Sequence, residues 1–137
     1  MVKINYEELI KLAVDAMDTA YSPYSKCRVG ACLLGDSGRY YTGCNVENAS
    51  YSATCCAERT AIFKAVSGGE KRFRAIAIVG GIDGAIKDYF PPCGACRQVM
   101  SEFCDDDFEI ILFNGEKITV RKFFEMLPYP FGSEKLN

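Results

Sequence analysis

A chain of 137 residues, 49% of them hydrophobic, has the size of one domain and enough apolar material for a real core. Its formal charge of -2, from 16 basic and 18 acidic residues, argues against the basic face with which nucleic-acid binders neutralise phosphates. No stretch reaches the roughly 18 apolar residues of a membrane span, and the opening segment carries Lys3, Glu7 and Glu8 where an export signal would be apolar. The expectation is a single cytoplasmic domain over residues 1–137, with no nucleic-acid or membrane partner.

Eight cysteines in such a chain read as reduced, metal-bound or plain core residues rather than as a disulfide framework. Histidine is absent, which removes the commonest general base and the commonest zinc ligand together. A histidine-based serine or cysteine triad is therefore ruled out within one chain. A base must be a carboxylate, lysine, tyrosine or thiolate, and zinc must sit on sulfur or oxygen.

In chain order, Asn5 and Glu8 have capping-box spacing, and Leu9, Leu12, Ala13, Ala16, Met17 and Ala20 recur at helical intervals, predicting a helix over about 6–20. Pro23 breaks it. Two β-rich runs, 29–34 and 39–46, flank Gly35-Asp36-Ser37-Gly38, which suits a tight turn. A polar loop leads to a second helix starting at Cys56 and stopped by Gly68-Gly69. Residues 73–79 read as a strand covered on both faces and ended by Gly80-Gly81. A third helix starts near Cys93, a strand runs over 108–113, Asn114-Gly115 signals a type I′ hairpin, and a short strand over 118–120 precedes a last helical turn. Strands alternating with helices predict a sheet layered between helices, with ligands at strand C-termini and helix N-termini.

Two motifs fall at predicted helix starts. Taken alone, Cys93-Gly94-Ala95-Cys96 has three readings: a redox pair, a structural zinc clip, or part of a catalytic zinc site. Cys56-Ala57-Glu58-Arg59 favours the last, because it adds a third sulfur and, two residues on, a carboxylate. Three protein ligands leave the fourth tetrahedral position open, as catalytic zinc requires, and Glu58 can shuttle protons there. A fourth thiolate from Cys55 would close the site, but adjacent side chains rarely converge on one metal. Three thiolates also leave excess negative charge, which Arg59 and the positive helix ends can offset. Cys27, Cys32, Cys44 and Cys104 read as small core residues.

These residues resemble the zinc-dependent deaminases whose signature is [HC]-x-E followed by P-C-x-x-C, and among them the small homotetrameric cytidine deaminases. The likeness runs through Tyr21–Lys26, Gly43–Tyr51, Cys56–Ile62 and Pro92–Val99. It implies a three-layer α/β/α sandwich with a mixed five-stranded sheet, one Zn²⁺ per subunit on Cys56, Cys93 and Cys96, and hydrolytic deamination of cytidine and 2′-deoxycytidine in pyrimidine salvage. It implies Glu58 as the catalytic proton carrier, Arg59 behind the thiolates, the Ala57 backbone against the base, and Asn45 and Glu47 on the ribose 3′-hydroxyl. Phe131 and Tyr51 would reach a neighbouring subunit's site in a homotetramer with shared active sites. Where the family usually carries a phenylalanine that stacks on the pyrimidine, this chain has Cys27, a loss of about 1–3 kcal/mol on the scale of base–aromatic stacking. The alternative is a zinc aminohydrolase for another cytosine-containing small molecule, such as a nucleoside antibiotic of the blasticidin type.

Overall fold

A computed structural model describes residues 3–137. Helix α1 (Tyr6–Met17) leads to strands β1 (Cys27–Gly35) and β2 (Tyr40–Cys44), helix α2 (Ala57–Ser67), strand β3 (Phe73–Ile82), helix α3 (Gly94–Phe103), strands β4 (Glu109–Phe113) and β5 (Ile118–Lys122), and a short helix α4 (Phe123–Met126). The sheet has the order β2-β1-β3-β4-β5. Only the β3/β4 pair is parallel, so the sheet is mixed.

Side chains alternate across the sheet with the strand period of two. Val29, Ala31, Leu33, Ile76, Ile78, Ile110 and Leu112 face α2 and α3, whose Ala61, Ile62, Ala65, Cys96 and Met100 are fully buried. Cys32, Leu34, Ala75, Ala77, Val79 and Ile111 face α1 through Leu9, Ile10, Ala13 and Met17. The three-layer α/β/α sandwich expected from the sequence is thus present. Among the described residues, no helix is long and apolar enough to cross a membrane.

Several boundaries differ from the sequence reading, and three of the differences have a physical reason in the structure. Helix α1 stops at Met17, three residues early, where Arg28 on β1 donates to the Met17 and Asp18 carbonyls at 3.3 and 2.5 Å. Strand β3 does not end at Gly80-Gly81, because β1 pairs Val29, Arg28 and Cys27 with Gly80, Gly81 and Ile82. The β4/β5 hairpin closes through four residues rather than two: the Asn114 side chain accepts from the N–H groups of Glu116 and Lys117 at 2.9 and 2.7 Å, and Phe113 pairs with Ile118.

Gly43 on β2 decides how closely α2 approaches the sheet. A Cβ at this position would lie 2.5 Å from the Ala57 carbonyl and 2.6 Å from the Ala61 nitrogen, both rigid backbone. Gly43→Val is therefore expected to lower the unfolding free energy by about 1–3 kcal/mol, the usual cost of overpacking. A urea midpoint equal to that of the wild type would show that the contact is not binding.

Candidate metal centre and active site

The starts of α2 and α3 converge. Cys56 is the N-cap of α2 and Cys93 the N-cap of α3, both in extended backbone, and neither side chain makes the capping hydrogen bond usual at this position. Cys96 lies in the first turn of α3 and is completely buried. The three Sγ atoms fall within 4.8 Å of one another, and no other group of three or more cysteine or carboxylate side chains among the described residues is so gathered. Cys93 Sγ stands 3.7 Å from Cys56 Sγ and 3.6 Å from Cys96 Sγ. These separations far exceed a disulfide bond of about 2.05 Å.

Cys55 turns away from the cluster. Its backbone pairs with Val46 in both directions at 2.9 Å, and its sulfur accepts from the Thr60 hydroxyl at 3.6 Å. The site therefore has three thiols and remains open rather than closing on a fourth.

The electrostatics suit a cation. A hydrogen bond from Cys96 pulls the Cys56 thiol down to about 5, with further donation from Arg59 and Cys93, while burial opposes the shift. The same hydrogen bond pushes Cys96 up. Arg59 Nη2 reaches Cys56 Sγ at 3.2 Å and the Thr54 carbonyl at 3.5 Å. Its Nε is buried with no hydrogen-bond partner among the described residues. The helix ends add positive potential. Soft thiolates in a compact group of three are the donor set that zinc takes, so the residues fit one Zn²⁺.

Glu58 lies in the first turn of α2 and is only 3% exposed. Burial raises its carboxyl to about 7, its own backbone N–H lowers it, and the Cys56 thiolate raises it again. It is the buried carboxylate next to the sulfurs.

The remaining residues singled out from the sequence are placed as follows. The Asn45 side chain, 7% exposed, accepts from Val29 N–H at 2.8 Å and donates to the Cys27 carbonyl at 2.8 Å. Glu47 accepts from the Tyr24 and Ser25 N–H groups at 3.0 and 3.1 Å and from the Ser25 hydroxyl, which hold its carboxyl below its ordinary value. Ala57 is fully buried at the first position of α2. Cys27 is half-buried, and burial, helped by Glu47, raises its thiol. Tyr51 and Phe131 present their rings to solvent, Tyr51 in an edge contact with Tyr24 at 6.0 Å. The Phe131 carbonyl accepts from Gln98 Nε2 at 2.8 Å. Sequence reasoning passed over Arg97, whose Nε donates to the Pro92 carbonyl at 2.8 Å and whose Nη1 donates to the Met126 carbonyl at 2.6 Å, fixing the approach to Cys93. Its only sequence signal was its place beside Cys96.

Fold and site together define an α/β protein with an open three-thiol metal centre and a buried carboxylate beside it. The family described as the cytidine and deoxycytidylate deaminase zinc-binding region matches residues 3–112, and the chain belongs to that family. It is 46% identical over 138 residues to a cytidine deaminase of Sporosarcina psychrophila, covering 98% of this chain and 96% of the relative. A crystal structure of cytidine deaminase from Burkholderia pseudomallei superposes with a TM-score of 0.85 at 42% identity, over 93% of this chain and all of the other. A blasticidin-S deaminase of Bacillus cereus is more distant, at 31% identity over 90% of each chain.

Removing the guanidinium leaves the Cys56 sulfur without its 3.2 Å donor. Arg59→Gln is expected to weaken zinc binding roughly 10- to 100-fold, the range for partners that orient metal ligands. Competition with a chromophoric chelator measures this, and an unchanged affinity would mean that the contact does not tune the sulfurs.

Proposed function

We propose that this protein is a zinc hydrolase that deaminates cytidine and 2′-deoxycytidine to the corresponding uridines and ammonia. The observation that carries the reading is the buried Glu58 carboxylate set one turn from a cluster of three thiols where two helix N-termini meet. Cys56, Cys93 and Cys96 would hold the zinc, which when bound supplies the Lewis acidity that makes water nucleophilic at neutral pH.

Each residue then has a task its position suits. Glu58 takes one proton from the attacking water and delivers it to N3 of the pyrimidine, then takes the remaining proton from the hydroxyl added at C4 and passes it to the amine, which leaves as ammonia as the C4–N bond breaks and the C4 carbonyl forms. A carboxyl held near neutrality by burial can do both halves of that exchange. Arg59 offsets the charge of the thiolates. The Ala57 backbone, at the open end of α2, meets the base. Asn45 and Glu47 hydrogen-bond the ribose, and both already brace the segment carrying Cys27. Tyr51 and Phe131, exposed in a single chain, contribute to a neighbour's site in a homotetramer. The protein works in the cytoplasm on free nucleosides. A cytosine-containing antibiotic is the second candidate substrate, suggested by the missing aromatic at Cys27.

An assay on cytidine, 2′-deoxycytidine, cytosine and CMP, with zinc counted in parallel, tests this reading. Glu58→Gln is expected to lose about 10²- to 10⁴-fold in kcat, the usual contribution of general acid–base catalysis, with zinc retained. Equal turnover by Glu58→Gln would sink the mechanism. A wild type silent on all four would move the substrate elsewhere. Light scattering is expected to give the mass of four chains, and Phe131→Ala to raise KM for nucleosides.

A further inference from the structure

The chain that follows α4 is held to the rest of the protein from one element. Among the described residues, every hydrogen bond between residues 126–131 and the chain outside α4 comes from α3, the helix that contains Cys96 and is capped by Cys93. Arg97 Nη1 donates to the Met126 carbonyl at 2.6 Å, and Gln98 Nε2 donates to the Phe131 carbonyl at 2.8 Å. Adjacent residues of one helix thus grip both ends of the segment.

The grip at Phe131 is closed on itself. The Gln98 amide has two N–H donors, and the second goes to Ser101 Oγ at 3.2 Å. Ser101 has one hydroxyl proton for two acceptors, the Gln98 carbonyl at 2.7 Å and the Phe131 carbonyl at 3.4 Å, and the nearer takes it. Ser101 therefore orients the amide, and Gln98 holds the segment.

Between the two grips the chain is stiff. Pro128 and Pro130 each fix a φ. Tyr129 between them stands at φ 52°, in the left-handed region that is costly for a side chain other than glycine. It is fully exposed, so its own contacts do not offset that cost, and the anchors on either side must. Phe131 is 57% exposed although its carbonyl is clamped. Its backbone is fixed while its ring is left free.

We propose that Gln98 is the positioning residue for Phe131: by clamping that carbonyl to α3 it sets the direction in which the ring leaves the surface towards a second copy of this chain. The inference rests on the reading given above, in which Phe131 serves a neighbouring subunit's site, and adds the residue that places it. Because α3 also bears two of the metal thiols, ring and metal centre share one rigid frame in each chain. In a symmetric assembly that frame fixes the ring of one copy relative to the thiols of the next.

A double-mutant cycle on cytidine deamination by the zinc-loaded full chain decides the matter, using Gln98→Ala, Phe131→Ala and the double variant, with zinc content and thermal midpoint recorded for each. Gln98 is exposed and alanine favours helix, so α3 is expected to stay folded and keep its zinc. Gln98→Ala is expected to raise KM about three- to tenfold, the scale of one hydrogen bond, with kcat nearly unchanged. The double variant is expected to match Phe131→Ala alone, because a residue that acts only through the ring has nothing left to place. Additive effects of the two substitutions, an unchanged KM in either single variant, or loss of zinc from Gln98→Ala overturns the proposal while deamination stands. A wild type without turnover on cytidine overturns the deamination reading, and this inference falls with it.

Discussion

Everything at the site depends on two helix N-termini being aimed at one point. The N-cap of a helix normally carries a side-chain oxygen that satisfies an orphan backbone N–H, worth about 1 kcal/mol. Here both caps are cysteines that make no such bond. The fold forgoes that stabilisation twice and gains sulfurs placed in the positive field of both helices. Cys96, one turn inside α3, completes the group because the helix repeat returns its side chain to the same face as the cap.

The close approach of α2 to the sheet fixes one half of this meeting. Gly43 lets the helix backbone rest on β2, and the Val46–Cys55 bridge ties the residue before the Cys56 cap to the end of that strand. Asn45, Val46 and Glu47 act as one junction. Asn45 holds β1 through Val29 and Cys27, Val46 pairs with Cys55, and Glu47 gathers Tyr24 and Ser25. Three successive residues thus set the start of β1, the turn before it and the start of α2. The other half is fixed by Arg97, which links the Pro92 carbonyl to the carbonyl of Met126 beyond the sheet.

Much of the fold was legible because its signals are local. Alternation in 29–34, 73–79 and 108–113 marked strands, and Gly68-Gly69 marked the end of α2. The misreadings arose where a partner in another element, or a side chain in the turn itself, overrode the local backbone signal. Gly80-Gly81 looked like a stop but remains in strand, because β1 supplies its hydrogen bonds and Phe90 covers Gly80. Asn114-Gly115 looked like a two-residue turn, yet the Asn114 side chain captures two N–H groups and widens it. Helix α1 ends early because Arg28, eleven residues beyond Met17, takes its last carbonyls.

The sequence by itself determined which donor atoms are available to the site. With no histidine, any zinc must sit on sulfur or oxygen, and Cys56, Cys93 and Cys96 stand with Glu58 at the starts of predicted helices. Residue type and spacing within a helical turn set Cys93 beside Cys96 and Cys56 beside Glu58, because they depend on the local backbone alone; that the two groups meet is tertiary. Only the tertiary structure decided that Cys55 stands aside, that Arg59 touches Cys56, and that Asn45 and Glu47 brace the Cys27 segment. It alone brought Phe90 over Gly80 beside Cys27. Such neighbours lie dozens of residues apart along the chain, and their meeting is set by sheet register and helix docking, which no short stretch of sequence contains.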